Sequence, residues 1–251
     1  MDELTASGRN NLDKIGRIRR SRDFHLYTVN GKRFVDFYQA GGRAMLGHRP
    51  GKLTLSIKNV IERGLYAEYP SIESDRLKKK LSGLFPGYQK VFLFRDEYRA
   101  FRVFPSLSLW RPWHPENDMD SEGLILRLPL PGAFACAPAL LRSSETEAVD
   151  DMLSPVTASG VLALIGLCQV DREKADSLFW NELPSPERYW RRKGPYMHFT
   201  GNEKTWQALF DRFLERGILL PPQFDIPAII PLELTDNETR NFSSLLGKEV
   251  L

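Results

Sequence analysis

Apolar positions recur at helical spacing in four stretches of the chain. Leu53, Ile57, Val60, Ile61 and Gly64 fall on one face, with Gly64 near the end of the predicted helix. Leu77, Leu81 and Leu84 form a second stripe. Trp206, Leu209, Phe210, Phe213 and Leu214 form a third, and Gly217 follows where a left-handed closing residue is expected. Phe242, Leu245 and Leu246 mark the last helix. Start signals accompany several of them. Ser154-Pro155 reads as an N-cap and first-turn proline, opening a helix that runs to Cys168. Ser185-Pro186 starts a helix through Tyr189 and Trp190. Thr200 with Glu203, and Thr235 with Glu238, have the spacing of capping boxes.

Between these stretches the pattern changes to that of strands. Asn30-Gly31, flanked by Tyr27, Val29 and Phe34, predicts a hairpin with a two-residue turn, both central residues at positive φ. Residues 66–69 are expected to be extended before Pro70. Residues 91–94 (VFLF) are wholly apolar, as in a strand buried on both faces. Residues 123–130 (GLILRLPL) read as a strand ending at its prolines, followed by a loop of small residues over 131–135. Residues 196–199 and 228–230 complete the set. The fold class is mixed α/β. Residues 1–24 read as a solvated entry segment in which Ile15 and Ile18 pack inward.

Composition narrows the classes of function. Of 251 residues, 42% are apolar and 27% charged, enough for a substantial core in one domain or two. The net charge of +3 comes from 35 basic and 32 acidic residues, which argues against bulk nucleic-acid binding. Arg17, Arg19, Arg20 and Arg22 lack interleaved aromatics, and Lys78, Lys79 and Lys80 read as a solvated helix face. Residues 1–11 lack the apolar core of a signal peptide, and no apolar run reaches the ~20 residues of a membrane span. Cys136 and Cys168 sit in apolar surroundings without metal-ligand spacing and read as buried free thiols. A soluble cytoplasmic protein is the expectation.

Few residues carry candidate chemistry. Gly41, Gly42 and Arg43 read either as a pocket in which Arg43 clamps a carboxylate with its planar fork, or as a loop with a surface arginine. His48 is an acid–base candidate, with a structural hydrogen-bonding role favoured over it. Tyr66 completes the set of pocket candidates. His114 reads as packed between Trp113 and Pro115, and His25 and His198 as isolated on strands. No metal-ligand spacing, nucleophile elbow or phosphate loop appears.

Residues 27–50, YTVNGKRFVDFYQAGGRAMLGHRP, resemble the N-terminal segment of the class III aminotransferases, particularly those of the glutamate-semialdehyde aminomutase type. There a hairpin leads through a glycine-rich turn to Leu-Gly-His. The resemblance continues through Leu77, Leu81 and Leu84-Phe85-Pro86-Gly87 into the strand at 91–94, and resumes over about 195–247. It implies a pyridoxal-phosphate enzyme of fold type I, with a small domain built from both chain ends and a strongly reduced large-domain core, and it divides the chain into a basic N-terminal segment (1–24), an N-terminal aminotransferase-like segment (25–94), a shortened remnant of the cofactor domain (95–173) and a C-terminal small-domain segment (174–251). It also implies a dimer. In that family a Ser-Gly-Thr-Glu-Ala run after the strand holds the cofactor phosphate. Here the matching residues are Arg95-Asp96-Glu97-Tyr98-Arg99-Ala100, and only Ala100 keeps its register. The aldimine needs a lysine, yet none occurs over 91–173; Lys90 and Lys174 flank the gap. The expectation is a homologue that does not bind pyridoxal phosphate, has no catalytic residues, and serves as a binding or scaffolding protein. Its partner would be a second copy or another protein, and a small carboxylate is its candidate ligand. Two alternatives stand: residual aminotransferase or aminomutase chemistry through Lys90 or Lys174, and cofactor-free chemistry in the inherited pocket.

Overall fold

The computed structural model describes residues 4–130, 135–145, 147–167 and 189–247. Cys168, Lys174, Ser185, Pro186 and the loop residues 131–134 lie outside the described residues. The chain divides into two units, one holding residues 50–174 and the other residues 2–49 and 175–251.

The terminal unit begins with α1 (Ala6–Asp13), whose first turn is capped by Thr5 accepting from the Gly8 N–H. Three antiparallel strands follow: β1 (Ile18–Arg22), β2 (His25–Thr28) and β3 (Arg33–Asp36). The expected solvated entry segment is therefore a helix and an edge strand. On that strand Ile18 is 42% exposed, while Ile15 is buried. The hairpin turn is longer than expected. Thr28 and Lys32 still pair, leaving Val29, Asn30 and Gly31 in the loop, and of these only Gly31 has positive φ (79°). A turn closed by one left-handed glycine suits a three-residue loop, so Asn30 need not leave the ordinary region.

A single turn, α2 (Gln39–Gly42), follows β3. β10 (Ile218–Leu219) then joins β3 in parallel, giving the order β1-β2-β3-β10. A second, antiparallel sheet has the order β11-β9-β8, from β8 (Trp190–Lys193), β9 (Tyr196–Phe199) and β11 (Ala228–Ile229). Trp190 thus opens a strand instead of continuing a helix. Its ring packs edge-on against Phe199 and Trp206, and burial in this aromatic group decides the conformation. α7 (Glu203–Glu215) starts at Asn202, whose side chain accepts from the Thr205 N–H; Thr200 and Glu203 form no capping box. α8 (Asp236–Gly247) does start with one: the Thr235 N–H donates to Glu238 and the Thr235 hydroxyl oxygen accepts from the Glu238 N–H. Trp206, Phe210, Phe213 and Phe242 meet Phe37 in the core, and the Phe37 and Phe242 rings are 4.4 Å apart.

The central unit holds α3 (Leu53–Glu62), α4 (Ile72–Leu84), α5 (Glu97–Val103) and α6 (Pro155–Ile165). Its four-stranded sheet has the order β4-β7-β6-β5, from β4 (Lys90–Phe94), β5 (Ser108–Trp110), β6 (Gly123–Leu126) and β7 (Ala137–Leu141). Only β5 and β6 run parallel. Leu77 and Leu81 of α4 are fully buried, as their spacing predicts, but Ile61 stands off the buried face of α3, which carries Leu53 and Val60. Ser154 caps α6, and the Ser56 and Ser159 hydroxyls tie α3 to α6 at 2.6 Å. Gly123 is required by close packing: a Cβ there would lie 2.5 Å from the Leu140 carbonyl oxygen. Among the described residues no helix is long and apolar enough to cross a membrane.

Candidate functional site

The glycine turn of the terminal unit is built around one buried carboxylate. Asp36 ends β3 and is 2% exposed. Its Oδ1 accepts from the backbone N–H groups of Tyr38 (2.9 Å) and Gln39 (2.7 Å). Its Oδ2 accepts from His48 Nε2 at 2.9 Å. His48 is fixed at its backbone as well, donating to the Asp23 carbonyl at 2.7 Å. The structure therefore places His48 as the third donor to a buried acid.

What Asp36 holds is an unusual backbone. Gln39, Ala40, Gly41 and Gly42 all have positive φ, at 47°, 50°, 70° and 95°. For the two that carry a side chain, the left-handed region costs about 1–2 kcal/mol each. The Gln39 side chain is buried and donates through Nε2 to the Ile229 carbonyl at 3.1 Å, while its Oε1 has no hydrogen-bond partner. A Cβ on Gly42 would meet Ile229 Cδ1 at 3.3 Å, so Gly42 lets this turn lie close against β11. Arg43 closes the turn through its N–H to the Gln39 carbonyl. Among the described residues no carboxylate pairs with its guanidinium. Gly41, Gly42, Arg43 and His48 thus gather around Asp36 in the terminal unit. Tyr66 belongs to the central unit and is 66% exposed.

The second place of interest is the turn from β4 into α5. Asp96 is the N-cap, its Oδ1 accepting from the Arg99 N–H at 2.9 Å. Glu97 lies in the first turn, where both its oxygens accept from Arg127, at 2.8 and 2.5 Å. Arg95 bonds Glu68 at 2.5 Å and Arg99 bonds Asp151 at 2.6 Å. Asp150 and Asp151 reach the backbone of the same strand end: Asp150 accepts from the Leu93 N–H and Asp151 from the Arg95 N–H. Lys78 pairs with Asp150. Each of the three arginines is thus matched to a carboxylate of the protein. A phosphate needs free N–H groups and unmatched positive charge. Here a side-chain carboxylate caps the helix and a second one flanks it, so these residues do not fit a phosphate dianion.

Sequence reasoning missed Asp36, Gln39, Arg127, Asp150 and Asp151 as members of these sites. Asp36 left one trace, an acid inside an otherwise apolar FVDF run. The others left none, because their partners lie up to 190 residues away. His25, which reads as isolated, meets Glu238 at 2.9 Å. There Glu238 also accepts from Arg33 (2.8 Å). Burial pushes the Glu238 carboxyl up, but the bonds from Thr235 and His25 outweigh it and hold it below its ordinary value. No group of three metal-ligating side chains occurs among the described residues.

The fold is that of the class III aminotransferases. Ornithine aminotransferase from Plasmodium yoelii superposes with a TM-score of 0.70 at 13% identity, covering 97% of this chain and 98% of that one. In sequence, the chain is 27% identical over 248 residues to an uncharacterized protein from Borreliella burgdorferi, covering 93% of this chain and 91% of the relative. A shorter stretch of 74 residues is 32% identical to glutamate-1-semialdehyde 2,1-aminomutase from Saccharolobus islandicus, 30% of this chain and 17% of that enzyme. No family model matches the chain.

Proposed function

We propose that this protein is an aminotransferase-like homologue without pyridoxal-phosphate chemistry, acting as a binding or scaffolding component. The observation that carries the reading is the turn after β4. Where the aminotransferase fold would receive a phosphate, Asp96 takes the helix N–H and Glu97 is held by Arg127. The absence of lysine over residues 91–173 supports the same reading. The intended ligand of the glycine turn is a small carboxylate met by Arg43, and the assembly is with a second copy or another protein.

The test is a cofactor trap. The purified chain is incubated with pyridoxal phosphate and reduced with borohydride, then read by intact mass and peptide mapping. Scattered substoichiometric labelling of surface lysines is the expected result. One stoichiometric adduct at a single lysine would overturn the reading and identify the residue that replaces the missing one.

A further inference from the structure

In the terminal unit a cavity of about 210 Å³ lies where β3 and β10 meet the first turns of α8. Its apolar lining is Val35, Phe37 and Ile218, all buried. Its charged lining is two arginines, Arg33 and Arg216, against one carboxylate, Glu238. That carboxylate is already satisfied. Its Oε1 accepts from His25 Nε2 at 2.9 Å and from Arg33 Nη2 at 2.8 Å. Its Oε2 accepts from the Thr235 N–H at 3.0 Å and the Thr235 hydroxyl at 2.9 Å. The positive groups are not used up in the same way. Arg33 commits only Nη2 to Glu238, and a guanidinium carries further N–H donors. Arg216 enters no ion pair among the described residues. Its backbone carbonyl accepts from Asn241 Nδ2 at 3.1 Å, which ties the end of α7 to α8 at the cavity. Asn237 also lines the cavity; Arg240 holds its Oδ1 at 3.0 Å, so its amide nitrogen is left to donate.

We propose that this cavity binds a small organic carboxylate, its oxygens met by Arg216 and Arg33 and its hydrocarbon part set against Val35, Phe37 and Ile218. An arginine that ends a helix is ordinarily explained by the helix dipole alone. Arg216 ends α7, but it also lines a cavity whose one acid is fully bonded and whose remaining polar groups donate. A planar guanidinium fork matches a carboxylate in two parallel hydrogen bonds. The apolar lining distinguishes an organic acid from a bare phosphate, because only the former gains by burying hydrocarbon. The volume is roughly seven waters at ~30 Å³ each, which admits a ligand of roughly seven to ten non-hydrogen atoms. Gly41, Gly42 and Arg43 do not line this cavity, so it is a second site, apart from the glycine turn. The inference goes beyond the function proposed above and depends neither on Arg43 nor on the fate of the cofactor.

The experiment is a heteronuclear NMR titration of the isotope-labelled full chain with glutarate up to about 20 mM, at constant ionic strength. The Arg216 side-chain N–H and the Asn237 and Asn241 amide signals are expected to shift together and saturate, with a Kd on the order of 0.1–1 mM. Arg216→Gln is expected to weaken this binding at least ~10-fold. Arg216 is exposed, so the variant should keep its circular dichroism and urea midpoint. If it does not, Asn237→Ala, on α8, is expected to weaken binding about 5-fold. Inorganic phosphate, titrated in parallel, is expected to bind more weakly than glutarate. No saturable shift at these signals, a Kd indifferent to the substitutions, or tighter binding of phosphate would overturn the inference. Shifts confined to the glycine turn would also overturn it, and would support the Arg43 site instead. None of these results bears on the cofactor trap, so a failure here is separable from a failure of the functional reading.

Discussion

Replacing Asp36 by alanine removes one acceptor from three donors at once. The N–H groups of Tyr38 and Gln39 and the ring N–H of His48 all point at a carboxylate with almost no solvent access. Leaving a buried donor unsatisfied costs about 1–3 kcal/mol. Part of the loss is offset, because the left-handed backbone at Gln39 and Ala40 relaxes and returns about 1–2 kcal/mol per residue. Three donors at the middle of that range, less the return at two residues, leave an expected net loss of about 3 kcal/mol for the terminal unit. Asp36→Asn keeps Oδ1 for the two backbone donors and lets His48 accept from the new amide in its other tautomer, so about 1 kcal/mol is expected. The chain has two units, and a single unfolding signal would mix them. The suitable assay is urea titration read by pulsed hydrogen exchange and mass spectrometry, which follows peptides from each unit. With a slope of about 2 kcal/mol per molar, the alanine variant should shift the terminal-unit midpoint by about 1.5 M and leave residues 50–174 unmoved. A shift below about 0.5 M, or equal losses for alanine and asparagine, would refute the view that Asp36 holds the turn.

Two further outcomes are expected. The folded-state carboxyl of Glu238 is held below its ordinary 4.5, so its stabilising contribution is whole above that value and is lost as pH falls through the folded-state value; Glu238→Gln should flatten the decline of the urea midpoint in that acidic window, and an unchanged decline would count against it. Burial pushes the Cys136 thiol up to about 12, so peptide mapping after iodoacetamide at neutral pH should find Cys136 unlabelled in the native protein and labelled in denaturant.

Several features were decided by the sequence alone, because their bonds close within a few residues. Ser154 and Thr235 cap their helices where the sequence places them, and Gly217 closes α7 with a φ of 78°. The stripes at Leu77 and Leu81 and at Trp206 to Phe213 are buried as their spacing requires, because helical periodicity is itself a local property. The aminotransferase resemblance was legible in the order of such local pieces, and the fold agrees with it. Tertiary structure decided whatever depends on distant partners. Trp190 is a strand residue because of Phe199 and Trp206, and β1 is a strand because β2 lies beside it. Parallel pairing of β3 with β10 joins Val35 to Ile218, and no local pattern specifies a bond across that separation. The same holds for the sites. The sequence offered His48 as an acid–base candidate, but only the fold shows that its ring nitrogen is committed to Asp36. Nothing local marks Ile61, Leu65, Tyr66 and Tyr69 as different from buried apolar residues; only the fold leaves them 37% to 71% exposed. Capping and periodicity act over a turn or two, whereas burial and ion pairing depend on which surfaces the folded chain brings together.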